Sequence, residues 1–216
     1  VCSSDLGAGK STIAKLVGKK FDLMYINTGA MYRAVALLAK KNDISTTNIE
    51  ALMTMIDNME MHFENDDLIL DGVNIQNEIT MPEISEIVSN YASIPEVRSK
   101  LVSLQRKMSE KYNVIMDGRD IGTVVLKNSK FKFFLTATPE ERARRRYTEL
   151  LNRGLDVNYD KLLEDIIKRD HIDSTRAVDP LRKADDAIEI DSSNYNINEV
   201  TEIICNLERK STRLNS

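Results

Sequence analysis

The residues with the clearest chemical potential lie near the start of the chain. They form the run Gly7-Ala8-Gly9-Lys10-Ser11-Thr12. Glycines let the backbone approach an anion closely, and a helix that begins here adds about half a positive charge at its N-terminus. We therefore expect this run to bind the phosphates of a nucleoside triphosphate. Lys10 would reach the β- and γ-phosphates, and the Ser11 hydroxyl would join the shell of Mg²⁺.

The run departs in two ways from the full phosphate-binding loop, G-x-x-x-x-G-K-[ST]. That spacing places the first glycine at position 4, which is Ser4 here. A strand should also precede the loop, and Val1–Leu6 is too short and too polar to supply one. We expect residues 1–6 and 211–216 to be foreign ends and the sheet to lack its central first strand. The alternative for the run is an ordinary glycine-containing helix entry.

A second group of cations lies on a helix in the later half of the chain. Arg142, Arg145 and Arg146 follow i, i+3, i+4 spacing and share one helix face, whereas Arg144 points elsewhere. A solvated basic helix is the alternative. These arginines are clustered in an acidic chain with a net charge of −4, which argues against a general nucleic-acid binder.

Composition limits the class of protein further. The chain has 216 residues, of which 42% are hydrophobic and 30% are charged, which suits one mid-sized domain with an insertion. We find no apolar run near the roughly 18 residues that a membrane span needs, and expect no membrane partner. Cys2 and Cys205 lie far apart without metal-ligand spacing, so we expect reduced thiols and a cytoplasmic location.

The elements that position these residues alternate between strand and helix, which predicts a parallel sheet with crossover helices. We expect a helix from about Ser11, a helix capped by Thr28, a helix from about Pro95 and a helix from Thr138-Pro139. The predicted core strands are Leu23–Ile26, Val114–Met116, Phe131–Leu135 and Ala187–Ile190. Three short strands interrupt this alternation of strand and helix. We expect them to form an antiparallel insertion with a turn at Asp71-Gly72: Met61–Glu64, Leu68–Leu70 and Val73–Ile75.

Three later motifs are more specific than the phosphate-binding run. They are Asn27-Thr28-Gly29-Ala30-Met31-Tyr32-Arg33, Asp117-Gly118-Arg119-Asp120-Ile121-Gly122-Thr123-Val124-Val125, and Arg169-Asp170 through Asp173 to Arg176-Ala177-Val178. With these motifs the chain resembles bacterial cytidylate kinase from about Gly7 to Glu208. The second motif is highly specific to that family.

The resemblance implies a set of acceptor-binding residues. Thr28 and Arg33 would help to hold CMP, and Arg119 and Arg176 would contact its phosphate. The cytosine would be bound by Ser89, Arg98 and Asp120, whose donors and acceptors complement the base. Arg169 and Asp173 would bind the pentose hydroxyls. Asp117 joins this set and, because it ends a buried strand, is expected near Mg²⁺.

The resemblance also implies the architecture. It is a P-loop three-layer α/β/α fold with a mostly parallel sheet, a small antiparallel insertion in the region that binds the nucleoside monophosphate, and a helical lid. The core would comprise residues 7–58 and 110–208, with the lid at about 142–158, and the insertion and its helix residues 59–109. Lys10, Arg119, Arg176 and the lid arginines Arg142, Arg145 and Arg146 would be catalytic.

The implied reaction is transfer of the γ-phosphoryl of Mg²⁺-bound ATP to CMP or dCMP by a monomer, with Arg144 contributing little. Two alternatives stay open: another monophosphate kinase, acting on UMP, dTMP or AMP, and a non-catalytic nucleotide-binding protein. A GTPase would need an N-K-x-D motif, which the sequence lacks. RNA binding would need aromatic residues beside the arginines, and only Tyr147 is near.

Overall fold

The computed structural model describes the backbone of residues 2–4 and 9–214. The described chain divides into two compact units. The first contains residues up to Leu23 and from Ile115 onward, and the second is Met24–Val114. The second unit includes the predicted insertion at 59–109, and the predicted domain boundaries stay a prediction.

The elements alternate largely as the sequence predicts. The strands are β1 (Cys2–Ser4), β2 (Met24–Asn27), β3 (Met61–Glu64), β4 (Asp67–Leu70), β5 (Val73–Asn74), β6 (Val114–Gly118), β7 (Phe133–Thr136) and β8 (Ile188–Asp191). The helices are α1 (Lys10–Phe21), α2 (Thr28–Lys41), α3 (Ile49–Asn58), α4 (Gln76–Ile79), α5 (Pro82–Ala92), α6 (Pro95–Lys111), α7 (Pro139–Asn152), α8 (Tyr159–Thr175) and α9 (Ile197–Leu214). A π-helical turn spans Ile121–Val125.

The first unit contains a parallel sheet in the order β6-β1-β7-β8. Cys2 is in register with Asp117 on one side and with Phe133 on the other. The prediction that Val1–Leu6 supplies no strand, and that the sheet lacks its first strand, is therefore wrong. A parallel ladder uses backbone N–H and C=O groups, which polar residues supply as well as apolar ones, and β1 has a neighbour on each side.

Helix α1 is fixed against this sheet by close packing at its C-terminal end. Ile13 and Val17 are buried on its inner face, and Leu16 is partly buried. A Cβ atom at Gly18 would lie 3.0 Å from Ile115 Cγ2 in β6 and 3.0 Å from the Leu23 carbonyl oxygen. The glycine thus allows α1 to approach the strand that carries Asp117.

The second unit joins a helical group to a small antiparallel sheet in the order β3-β4-β5. The three predicted short strands are confirmed, as is their turn, because Asp71 and Gly72 both have positive φ, at 50° and 78°. The predicted cap of α2 is wrong. Asn27 caps this helix by accepting a hydrogen bond from Ala30 N at 3.0 Å, and Thr28 is its first residue.

Helices α7 and α8 of the first unit pack against each other, and the rings of Tyr147 and Tyr159 meet edge to face at 5.9 Å between centroids. The capping prediction at Thr138 is confirmed, because its hydroxyl accepts from Glu141 N. The expected α/β class, with a mostly parallel sheet and an antiparallel insertion, is also confirmed. In the described ranges, no helix combines the length and apolar character needed to cross a membrane.

Replacing Gly18 by alanine tests the contact between α1 and β6. Alanine improves helix propensity by about 1 kcal/mol, but crowding against a backbone carbonyl costs about 1–3 kcal/mol. We expect Gly18→Ala to lower the free energy of unfolding by about 1 kcal/mol in urea titrations. The exposed neighbour Lys19→Ala should change it by less than about 0.5 kcal/mol. Stabilisation by Gly18→Ala would contradict the close approach.

Candidate functional site

The start of α1 meets the end of β6 through a direct hydrogen bond. Ser11 Oγ donates to Asp117 Oδ2 at 2.6 Å, and the Asp117 side chain is buried. Gly9 precedes the helix with φ 81°, a left-handed conformation that favours glycine. Among the described residues, no side chain caps α1, and Lys10, Ser11 and Thr12 form its first turn. Gly7 and Ala8 of the predicted loop lie outside the described residues.

The paired hydroxyl and carboxylate fit a magnesium ion. Mg²⁺ prefers oxygen ligands and usually binds through one or two protein groups, the rest coming from water and substrate phosphates. Ser11 and Asp117 supply such oxygens at one point. Among the described side chains, no group of three or more histidine, cysteine or acidic residues is placed to form a metal site of its own. The residues present therefore suit an ion that arrives with a nucleotide.

Three arginines gather around one buried aspartate in the same unit. Arg119 Nε donates to Asp173 Oδ2 at 2.9 Å, and Arg176 Nη1 lies 3.9 Å from Asp173 Oδ1. Arg169 also acts on Asp173 electrostatically. Asp170 also acts on Arg169, but Asp170 is itself paired with Arg142, so positive charge exceeds negative charge around Asp173 and this group is suited to an anion. We call Arg119, Arg169, Arg176 and Asp173 the arginine group.

The pKa shifts in this group follow from burial and charge. Burial acts to raise the pKa of Asp173, but Arg119, Arg169 and Arg176 together outweigh it, so its pKa is lowered. Burial, followed by repulsion from Arg119, lowers the pKa of Arg169 to about 10. Within the part of the chain that is described, the buried Arg169 Nε makes no hydrogen bond. A buried donor of this kind suggests a ligand acceptor.

The segment between β6 and β7 sets the direction of Arg119 and Asp120. The Asp120 carbonyl accepts from Val124 N at 2.8 Å and from Val125 N at 3.3 Å. The Val125 bond and the bond from Leu126 N to the Ile121 carbonyl at 2.7 Å are the i→i+5 bonds of the π-helical turn, a feature often found at functional sites. Asp120 is buried at the start of the turn, and Arg119 is partly buried just before it.

The lid arginines occupy different surroundings. Arg142 is 2% exposed; its Nε donates to the Ala137 carbonyl at 2.9 Å, and Nη1 and Nη2 donate to the two carboxylate oxygens of Asp170 at 3.0 and 2.5 Å. Contact between Arg142 and a transferring phosphoryl would require this buried pair to separate. Arg146 is partly exposed and pairs with Glu149 on its own helix.

A cavity of about 590 Å³ lies beside Arg145, the third lid arginine, in the first unit. Arg145 lines it and is held by Glu141 Oε1 at 2.8 Å and the Ser192 carbonyl at 2.6 Å. The exposed Arg144 also pairs with Glu141 and lines the cavity. The remaining lining residues are Gly9, Glu141, Ser193, Asn194, Tyr195, Asn196, Ile197 and Asn198.

In the second unit, Arg33 connects α2 to the helices of the insertion. Its Nη1 donates to the Ile79 carbonyl at 3.0 Å and to Ser85 Oγ at 2.8 Å. Ser89 follows Ser85 by four residues on α5, so the two share a helix face. Arg33 therefore contacts the face of α5 on which Ser89 lies one turn further along.

Arg98 is the other predicted cation of this unit, and it is almost fully buried on α6. Its Nη1 donates to the Ala92 carbonyl at 3.1 Å, and its guanidinium carbon lies 5.6 Å from the centre of the Tyr32 ring. Tyr32 precedes Arg33 on α2, and the buried Thr28 begins the same helix. All four predicted residues of this unit thus lie on the packed helices α2, α5 and α6.

Sequence reasoning missed two features of this site. The third motif predicts no role for Asp170, although the i, i+3 spacing of Asp170 to Asp173 places both carboxylates on one face of α8. The cavity residues after β8 were also missed. Loops at the carboxyl ends of parallel strands commonly bind ligands, so the position of the last predicted strand was a usable signal.

The fold and the site define a P-loop protein that binds nucleotide phosphates. A family model described as cytidylate kinase matches residues 5–210. Cytidylate kinase of Clostridium perfringens is 65% identical over 204 residues, covering 94% of each chain. That of Clostridium acetobutylicum is 61% identical over 198 residues, covering 92% of this chain and 91% of the relative. The chain belongs to the cytidylate kinase family.

The solved structures support the fold alone. A crystal structure of an uncharacterized protein from Eubacterium ventriosum matches with a TM-score of 0.50 at 13% identity. The match covers 95% of this chain and 94% of that one. At this identity, the likeness concerns the arrangement of strands and helices and carries no information on substrates.

Removing the carboxylate at the centre of the arginine group should destabilise the protein. Asp173→Asn leaves buried guanidinium groups without their counter-charge, which should lower the free energy of unfolding at pH 7 by about 3 kcal/mol. Asp165→Asn, an exposed change on the same helix, should alter it by less than about 0.5 kcal/mol. Because the folded-state pKa of Asp173 is lowered, its contribution is present above the unfolded-state pKa and is lost as pH falls.

The pH dependence supplies the second measurement of this prediction. Urea unfolding at pH 7 and pH 3 should show the difference between wild type and Asp173→Asn shrinking at the lower pH, because the unfolded-state pKa of aspartate is about 3.9. A difference that stays constant would mean that the Asp173 charge is not held by these arginines.

Proposed function

We propose that this protein transfers the γ-phosphoryl of ATP to CMP or dCMP, giving ADP and CDP or dCDP. One observation supports this proposed reaction most strongly. The Ser11–Asp117 hydrogen bond and the arginine group lie in one unit, and the short segment Asp117-Gly118-Arg119 connects them. A magnesium-dependent donor site and a cationic acceptor site are thereby joined by two peptide units.

The arginine group provides the charge that a phosphate monoester needs. Such a phosphate carries between one and a half and two negative charges near neutrality, so no general base is required to create the nucleophile. In the proposal, Arg119 and Arg176 bind the acceptor phosphate, and Arg169 and Asp173 bind the pentose. Thr28, Arg33, Ser89 and Arg98 of the second unit and Asp120 of the first make the further CMP contacts.

The donor side uses the start of α1. Lys10 and the backbone of Gly7, Ala8, Gly9 and Thr12 would bind the β- and γ-phosphates. Ser11 and Asp117 would hold the Mg²⁺ that accompanies ATP, which neutralises charge on those phosphates. The cavity beside Arg145 begins at Gly9 and has the size of a small-molecule site, so we assign it to the base of ATP.

The lid arginines complete the proposed site. Arg145 and Arg146 are only partly buried, so they can turn toward the transferring phosphoryl group without breaking a buried ion pair. Arg142 would act there only after leaving Asp170. Closure of the lid would also exclude water and so prevent hydrolysis of ATP.

The finer parts of the proposal concern substrate, location and assembly. The choice of CMP over UMP, dTMP or AMP would follow from Ser89, Arg98 and Asp120, because a buried polar group left unpaired by the wrong base is costly.

We include a cytoplasmic location, which is consistent with the buried free thiol of Cys205. A monomeric state stays a prediction.

A substrate panel tests the proposed reaction. Purified protein is incubated with Mg-ATP and CMP, dCMP, UMP, AMP or dTMP, and ADP release is followed. We expect fast release with CMP and dCMP, slower release with the others, and little without an acceptor, because the lid excludes water. A faster reaction with AMP or dTMP would establish another monophosphate kinase, and nucleotide binding without ADP release would establish a non-catalytic protein.

A pair of arginine variants links that activity to the arginine group. Arg119→Ala should lower kcat/KM for CMP by about 10³-fold, the lower limit for an arginine that stabilises phosphoryl transfer. The matched control is Arg209→Ala, an exposed change on α9, which should leave kcat/KM unchanged. Equal losses in the two variants would remove the support for Arg119 as a phosphate ligand.

The lid arginines should separate into a structural and a catalytic class. Arg142→Ala leaves the carboxylate of Asp170 without its buried partner, and we expect it to lower the free energy of unfolding by about 3 kcal/mol. Arg146→Ala removes only an exposed pair, so its stability should change by less than about 1 kcal/mol, while kcat falls about 100-fold. Urea titration and steady-state kinetics measure both. Unchanged kcat in Arg146→Ala would exclude it from the reaction.

A further inference from the structure

A buried lysine lies outside the residues that the proposed reaction uses. Lys132 lies just before β7, and its side chain is 5% exposed. Its ammonium group donates to both carboxylate oxygens of Asp186, at 2.9 and 2.6 Å, and to the Lys127 carbonyl. A buried ammonium is costly unless it is paired and hydrogen-bonded, so this arrangement demands an explanation.

The stem of the same lysine packs against the π-helical turn. A Cβ atom at Gly122 would lie 3.3 Å from Lys132 Cδ and 3.5 Å from Ala184 Cβ. Gly122 therefore brings the turn's backbone close to the aliphatic stem. The π-helical turn also depends on the Asp120 carbonyl, which accepts hydrogen bonds from Val124 N and Val125 N.

The far end of this arrangement is anchored to the sheet. Asp186 lies just before β8, and Ile188 N at the start of that strand donates to the Lys132 carbonyl at 2.9 Å. The Lys127 carbonyl belongs to the segment that leaves the turn. The aliphatic stem of Lys132 thus contacts the turn at Gly122. Its ammonium group contacts the Lys127 carbonyl just after the turn and Asp186 just before β8.

We propose that Lys132 is a positioning residue, which with Asp186 fixes the turn after β6 and thereby the placement of Arg119 and Asp120 for the acceptor nucleotide. The inference rests on the proposed function. Lys132 itself touches no reacting group in this assignment. It acts because Arg119 and Asp120 enter the turn directly, so loosening of the turn moves both.

Kinetics of Lys132→Met provide the test, because methionine keeps an unbranched stem and removes the charge. We expect kcat/KM for CMP to fall about tenfold while KM for ATP changes less than about twofold, since outer partners of a site typically contribute such factors. Asp186→Asn should shift the same parameter in the same direction by a smaller factor, because the lysine stem stays packed. Asp186 is largely exposed, so this second variant keeps the test valid if Lys132→Met does not fold.

The matched control is Lys183→Met, which removes an exposed lysine paired with Glu189 on β8 at 3.0 Å. It should leave both kinetic parameters unchanged. If Lys132→Met and Asp186→Asn behave like this control, or if KM for ATP rises as much as KM for CMP, the positioning role is wrong. Failure of the proposed function gives a different pattern: wild-type protein would not phosphorylate CMP, or Arg119→Ala would be fully active.

Discussion

The attraction between Asp173 and its arginines is the interaction on which the first unit most depends. Three guanidinium groups repel one another at short range, and burial increases that repulsion because water no longer screens it. Asp173 holds Arg119 by a hydrogen bond and lowers the repulsion among the others. The excess positive charge that remains makes this group suited to an anion. Stability and, in the proposed function, phosphate binding therefore rely on the same carboxylate.

A second constraint is the close approach of α1 to β6. Gly18 removes the side chain that would separate them, and the helix can then direct Ser11 to Asp117. The same strand continues into Arg119, Asp120 and the π-helical turn. In the proposed function, the donor and acceptor sites are thus joined by one short stretch of chain. Lys132 and Asp186 support the end of that stretch. The buried charge of Lys132 beside Gly122 is tolerated because it is paired with Asp186 and bonded to the Lys127 carbonyl.

The sequence predicted much of the fold because its signals were local. Pro139 with Thr138 predicted α7, and the Asp71-Gly72 turn predicted the antiparallel sheet. Helices α3 and α8 were not predicted, although Asn48 and Asn158 cap them. Strand β1 was rejected because its residues are polar, whereas its formation depends on two distant neighbours. The partners of Arg142 and Lys132 were equally out of reach, since spacing along the chain does not reveal contacts across 28 or 54 residues.

The position of β1 has a consequence for biosynthesis. This strand is synthesised before its register partners, Asp117 and Phe133, which emerge from the ribosome far later. At about 5–20 residues per second, the segment waits for several seconds or longer without its ladder. Such long-range pairing slows folding and leaves strand edges exposed to other chains. Nascent-chain aggregation should accordingly be most acute before β7 is synthesised.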